Sequence, residues 1–318
     1  MQDLILHHYA ISPFSEKIRL ILAHKRLAWQ SVIVPSIMPK PDVAALTGGY
    51  RRTPFLQVGA DIYCDTALMA DVLEARQPSP SLFPADAAGR STEGQARAQA
   101  DWADRTLFWT AMAYSFQPAG IAALFEGAPP ALVQAFAEDR AKMRPGAQRL
   151  PPAAAAVQLR NALGWLDDQL RGRDFLLGSE PGLADFAAYH PLWFVKRLKP
   201  IAGIFDAAPQ VRRWLERIAA IGLDAEAPVQ RSAAEAIEIA ASAQAQPVPE
   251  APLVDAPKLR LGERVCVTPT DYAFDPVEGE LLRADERCVS LRRTDPRAGT
   301  VHVHFPRIGY ELKPAQAQ

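Results

Sequence analysis

The sequence predicts an α/β domain, an all-helical bundle domain and a small all-β barrel-like domain at the C-terminal end. Three observations carry this. Residues 4–76 alternate in the order β-α-β and then β-β-α. Residues 90–222 keep a helical period broken by proline turns. From residue 264 onward short β-type runs replace the helices. The chain has 318 residues, more than one ordinary core accommodates.

Residues 4–8 (Leu-Ile-Leu-His-His) read as a strand. Ser12-Pro13 then opens a helix, serine as the cap and proline at the first position, where its missing N–H costs nothing. Ile18, Ile21 and Leu22 form its apolar face, with Glu16, Lys17, Arg19 and Lys25 mostly on other faces. Ala28–Val34 fits a second strand and completes a βαβ unit. Phe55–Val58 and Asp61–Tyr63 form a hairpin turned at Gly59-Ala60, and a helix runs from about Thr66 to Arg76. The predicted domains are 1–80, 85–243 and 258–318. A Pro-rich connector, Gln77–Pro84, follows the first. Ser232–Ala243 reads as the last helix, and 244–257, with four prolines, as an extended linker. Val301–Phe305 alternates cleanly, so one face is buried and one open.

Lys and Arg total 35 against 36 Asp and Glu, a formal net charge of −1. That balance favours neither nucleic acid nor an anionic membrane. Charged residues interrupt every apolar stretch, so no membrane span is expected. The start lacks a signal-peptide pattern, and Cys64, Cys266 and Cys288 are too sparse for a disulfide framework; a reducing, cytoplasmic setting is expected. No His/Cys spacing suggests a metal site.

Four clusters together resemble the cytosolic glutathione transferase superfamily, bacterial-type with a serine-like active site. They are Ser12-Pro13-Phe14-Ser15-Glu16-Lys17-Ile18-Arg19, Arg52-Thr53-Pro54-Phe55-Leu56, Cys64-Asp65-Thr66-Ala67-Leu68 with Leu82-Phe83-Pro84, and Phe175-Leu176-Leu177-Gly178 with Leu183-Ala184-Asp185-Phe186. The resemblance covers residues 1–222 and leaves 244–318 outside. It implies a thioredoxin-like first domain, glutathione as co-substrate, no metal, and a homodimer.

Ser12 lies where helix N–H groups and the helix dipole stabilise an anion. The resemblance implies that its hydroxyl stabilises the glutathione thiolate, with Tyr9 the weaker alternative; otherwise Ser12 only caps the helix. Phe14 either shapes the pocket or packs. Thr53-Pro54 resembles a cis-proline turn whose backbone pairs with the ligand like an added strand. Arg52 matches a basic residue facing the glycyl carboxylate, or is a surface arginine. Asp65 would hold the γ-glutamyl ammonium and Thr66 the carboxylate; the alternative is simple capping by Asp65. Gly182 and Asp185 resemble an incomplete capping box, a folding element. Trp102, Thr106 and Trp109 either wall the electrophile pocket or are core.

The leading expectation is conjugation of the glutathione thiolate to a small apolar electrophile, a detoxification reaction. The alternative is a non-catalytic dimeric scaffold whose β-domain recruits a protein partner, and peroxide reduction or isomerisation at the same site is a third course. His302 and His304 share a strand face without further ligands.

Overall fold

The computed structural model describes residues 2–146, 150–223, 225–249, 252–254 and 259–315. The first domain runs β1 (Leu4–His8), α1 (Pro13–His24), β2 (Gln30–Ile33), α2 (Pro41–Thr47), β3 (Phe55–Val58), β4 (Asp61–Cys64) and α3 (Thr66–Arg76). β1 pairs in parallel with β2 and antiparallel with β3, and β3–β4 is the expected hairpin. The helix α2 lies in a stretch too short and proline-flanked to show a period in the sequence.

The helical domain comprises α4 (Glu93–Trp102), a π-helical turn (Ala103–Leu107), α5 (Phe108–Ser115), α6 (Pro118–Leu124), α7 (Pro130–Met143), α8 (Pro152–Gln169), α9 (Leu183–Arg197), a 3-10 turn (Lys199–Phe205) and α10 (Pro209–Leu223). Its core helix α9 is buried almost throughout. Buried Asp185 fixes it: Oδ2 accepts the Gly182 N–H at 3.0 Å, and Oδ1 accepts Leu176 N–H at 2.9 Å and Trp214 Nε1–H at 2.8 Å. The carboxylate half of the capping box is therefore present without a cap side chain. Burial pushes the Asp185 carboxyl up to about 6 against these donors.

The chain then returns to the first domain. β5 (Val229–Arg231) adds to β2 in parallel, and α11 (Ala233–Ser242) opens with a Ser232/Glu235 capping box. The last strands are β6 (Arg264–Pro269), β7 (Val277–Ala284), β8 (Cys288–Asp295), β9 (Gly299–Pro306) and β10 (Tyr310–Pro314). They form an antiparallel run in the order β10-β6-β7-β8-β9. The run is neither closed nor separate among the described residues. β9 pairs in parallel with β4, giving one sheet of order β10-β6-β7-β8-β9-β4-β3-β1-β2-β5. The expected C-terminal strands are present, and they continue the first domain's sheet: an unpaired β4 edge is a row of free N–H and C=O groups, and β9 satisfies them. Part of the expected linker lies outside the described residues; within it, Gln246 N–H donates to Asp61 Oδ2 at 2.8 Å.

One apolar cluster joins both units: Ile5, Val32, Phe55 and Ile62 pack in it with Val265, Leu281, Leu291 and Phe305. The other face of the first domain's sheet packs on the helical domain through Leu6, Ile18, Ile21 and Phe186. At the β4–β9 seam, buried Asp61 Oδ1 faces His304 Nε2 at 3.0 Å, and His304 Nδ1 bonds Ser290 Oγ at 2.8 Å. His302 Nδ1 lies 3.8 Å from the same carboxylate. The two histidines of β9 therefore serve the seam.

Two lysines depart from the outward placement expected for α1. Lys17 and Lys25 are each 1% exposed. Lys25 Nζ donates to Glu74 Oε2 at 2.5 Å, Gln77 O at 2.7 Å and Pro80 O at 2.9 Å, which satisfies its three protons. Cys64 is fully buried, and burial raises its thiol pKa.

Asp61→Ala is expected to cost about 3 kcal/mol, because it strands a buried histidine and removes the acceptor of the Gln246 N–H. Urea denaturation would show a lower midpoint at unchanged slope. A second outcome concerns His7 and His8, each brought down to about 4, mainly by burial. Both are neutral in the fold, and the unfolded chain takes up the extra protons between about 6.5 and 4. Their contribution is therefore full above about 6.5 and lost as pH falls, up to about 1.4 kcal/mol per pH unit each. Denaturation at pH 7.5 and 5 measures it, and His7→Asn should flatten the slope.

Candidate functional site

A cavity of about 660 Å³ opens where the three parts of the chain meet. α1 contributes Phe14 and Lys17, the turn before β3 contributes Arg52, Thr53 and Pro54, and the start of α3 contributes Asp65 and Thr66. α4 and the π-helical turn contribute Arg97, Asp101, Asp104 and Arg105. The C-terminal strands close the far side with Asp271, Tyr272, Arg307 and Tyr310. Most of the lining residues are charged or carry a hydroxyl, while their apolar atoms make up the larger part of the wall.

The local sequence explains the placement. Thr53–Pro54 is a cis peptide bond, as the resemblance implied. Asp65 sits at φ 77°, ψ 134°, a left-handed backbone that L-residues rarely adopt, and Oδ1 caps α3 by accepting Ala67 N–H at 3.0 Å. Thr66 follows as the first residue of α3, at the positive end of the helix dipole.

Lys17 was absent from the expected site residues, and it sits on the cavity floor. Its Nζ donates to Asp104 Oδ2 at 2.5 Å and to Thr66 Oγ1 at 3.2 Å. Because Thr66 Oγ1 accepts there, its own proton is left to donate elsewhere. Asp104 comes from the π-helical turn and also meets buried His190 Nε2 at 2.8 Å. A π-turn inserts one residue into a helix and re-aims the side chains beside it. Burial alone would raise the Asp104 pKa, but Lys17 and His190 outweigh it and hold the carboxylate below its usual range. Burial lowers the His190 pKa, so the ring is neutral. A sign of Lys17 was present in the sequence: it lies four residues before Ile21 and so shares that buried face.

Arg52 is 7% exposed. Its Nη2 donates to Asp271 Oδ1 and to the Tyr272 carbonyl, its plane lies 3.8 Å from the Tyr272 ring centre, and Nη1 is 3.9 Å from Asp65 Oδ2. Burial opposes the charge, yet Tyr272, Tyr310, Tyr50 and Asp271 raise the guanidinium pKa further.

The other expected residues are placed differently. Ser12 is buried, and its Oγ accepts Ser15 N–H at 3.2 Å, capping α1. Tyr9 is half-buried, and its hydroxyl accepts from Arg140 Nη2 at 3.4 Å. Trp102 packs toward Trp165, ring centres 6.5 Å apart, and Thr106 is exposed. Trp109 meets the Tyr272 ring edge-on at 5.2 Å. Among the described residues none of these five lines the cavity, so the structure does not gather the tryptophans into an apolar electrophile wall.

Comparison with known proteins agrees with this architecture. The family model described as glutathione S-transferase, N-terminal domain, matches residues 6–81, and the one described as glutathione S-transferase, C-terminal domain, matches residues 140–221. A GST-like protein from Pseudomonas syringae, of known crystal structure, is 40% identical. It aligns over 99% of this chain and 100% of that one with a TM-score of 0.81, so the C-terminal strands are part of the shared fold. The chain therefore belongs to the glutathione S-transferase family. FtsZ-localized protein A of Caulobacter vibrioides (strain NA1000 / CB15N) is 27% identical over 186 residues, 58% of this chain and 73% of that protein. An apo-form glutathione S-transferase III shares the fold at 23% identity, over 79% of this chain and 100% of its own, with a TM-score of 0.51.

Asp104→Ala should destabilise the fold by about 3–5 kcal/mol, since it leaves Lys17 a buried, half-paired cation. Lys17→Met combined with Asp104→Leu should recover most of that loss. Thermal melts of wild type and the two variants measure the contrast.

Proposed function

We propose that this chain binds glutathione in the cavity and conjugates its thiolate to a small electrophile, in the cytoplasm and as a homodimer, in a detoxifying role. One observation carries the reading: Arg52, Thr53, Pro54, Asp65 and Thr66 converge on one cavity at the N-terminus of α3. The residues fit the tripeptide chemically. Thr66 and the α3 N-terminus suit a carboxylate, and Asp65 suits an ammonium. The cis-Pro54 turn offers backbone groups to a peptide.

The Ser12 oxygen accepts a backbone N–H, and its hydroxyl proton remains to be donated to a thiolate.

Glutathione titrated calorimetrically into wild type should bind, and Asp65→Ala/Thr66→Ala should lose on the order of 100-fold in affinity. Absence of binding at millimolar glutathione would sink the reading. Ser12→Ala should lower turnover by roughly 100-fold while glutathione affinity holds; equal loss of both would make Ser12 a cap alone. A monomer by light scattering would remove the dimer.

A second reading is a non-catalytic scaffold with a protein partner. Ser12 lying outside the cavity lining favours it, as does similarity to a protein named for its localisation with FtsZ. Affinity capture with the full chain tests it, because the C-terminal strands share their core with the first domain. Turnover by wild type with no partner retained would end this reading.

A further inference from the structure

The cavity wall supplied by the C-terminal strands has no part in the reading above, yet it grips two of the five residues that carry that reading, Arg52 and Asp65. Asp65 is the clearer case. Its left-handed backbone is sterically unfavourable for a residue with a Cβ, so its conformation persists only if neighbours over-determine it. Three groups do so. Ala67 N–H donates to Oδ1 at 3.0 Å, Arg52 Nη1 lies 3.9 Å from Oδ2, and the Tyr310 hydroxyl donates to Oδ2 at 3.0 Å.

Tyr310 is itself fixed. The hydroxyls of Tyr50 and Tyr310 are 3.0 Å apart, and both residues are buried, at 2% and 7% exposure. Since the Tyr310 proton goes to Asp65, Tyr50 must donate to Tyr310, which sets the direction of the chain. Burial and then the Asp65 charge raise both phenol pKa values, so both hydroxyls stay protonated and the chain keeps its sense. The carboxylate has about four acceptor positions, and the two donors leave about two for a ligand.

We infer that Tyr310 is a positioning residue: it holds the Asp65 carboxylate at the angle from which that carboxylate meets the ligand, so that the C-terminal strands complete the binding site. Asp271 and the Tyr272 carbonyl hold Arg52 in the same manner from the same side. The inference rests on the glutathione reading and adds to it. A ligand site set by residues some 250 positions apart is preorganised without any contact between Tyr310 and the reacting atoms.

Tyr310→Phe is the test, because it removes one oxygen and leaves the ring packed against Phe305, 5.4 Å between centres. Glutathione affinity is measured by calorimetry for wild type, Tyr310→Phe, Asp65→Ala and the double variant, with a thermal melt of each. Tyr310→Phe should bind about five- to tenfold more weakly, with a melting temperature lowered by several degrees because the buried Tyr50 hydroxyl loses its acceptor. In the Asp65→Ala background the same change should do nothing further, because the tyrosine acts through that carboxylate. Unchanged affinity in Tyr310→Phe overturns the inference, as does an equal loss with and without Asp65; both leave the glutathione reading intact. Absence of glutathione binding by wild type overturns both. Should Tyr310→Phe fail to fold, Tyr50→Phe removes the upstream donor and should show the same dependence on Asp65 at about twofold.

Discussion

The parallel pairing of β4 with β9 is the constraint on which the rest of the molecule depends. Three residues of each strand are in register, Asp61 to Tyr63 against His302 to His304. Through this seam the antiparallel strands of the C-terminal region become an extension of the first domain's sheet rather than an appendage. The seam also holds a set of buried polar groups. Asp61, His304 and Ser290 bond one another in the interior, and each would be costly if left unpaired. Apolar residues from both ends of the chain pack around it, so neither side has a complete core without the other.

From the seam follows the character of the cavity. Fixing β9 against β4 brings Tyr310 and the 271–272 turn over the start of α3. The helical domain supplies the remaining wall with its π-helical turn. Several charges of the cavity are held in shared ion pairs: Lys17 with Asp104, Arg52 with Asp271 and Asp65, Arg97 with Asp71 and Glu93, and Arg105 with Asp101. Such pairing is what a partly buried, charge-rich surface requires.

Local chemistry made much of this legible beforehand. Ser12-Pro13 marked the start of α1, Gly59-Ala60 the hairpin, the run from Ser232 to Ala243 the helix α11, and Asp65-Thr66 the start of α3. Each is a signal complete within a few residues. What was not legible depends on distant partners. Lys17 and Lys25 look like surface residues until Asp104 and Glu74 are placed beside them. The tryptophans of the first long helix could have faced either way, and only the position of Tyr272 decides where Trp109 packs. The β-type runs after residue 264 were recognisable as strands, but alternation says nothing about which other strand an edge will meet. α2 and β5 are too short to carry a period.

The same seam bears on how the protein is made. β4 is synthesised early, and its partner β9 leaves the ribosome some 240 residues later. At about 5–20 residues per second, that gap lasts on the order of 10–50 s. During it the first domain has an open strand edge and a bare apolar face, the features that invite pairing with neighbouring nascent chains. Closing a loop of this length is also entropically slow relative to local pairing. The helical domain can collapse meanwhile, but the sheet must wait for the last fifth of the chain. Molecular chaperones that shield strand edges would therefore matter more here than for a shorter chain in which β4 finds all its partners nearby.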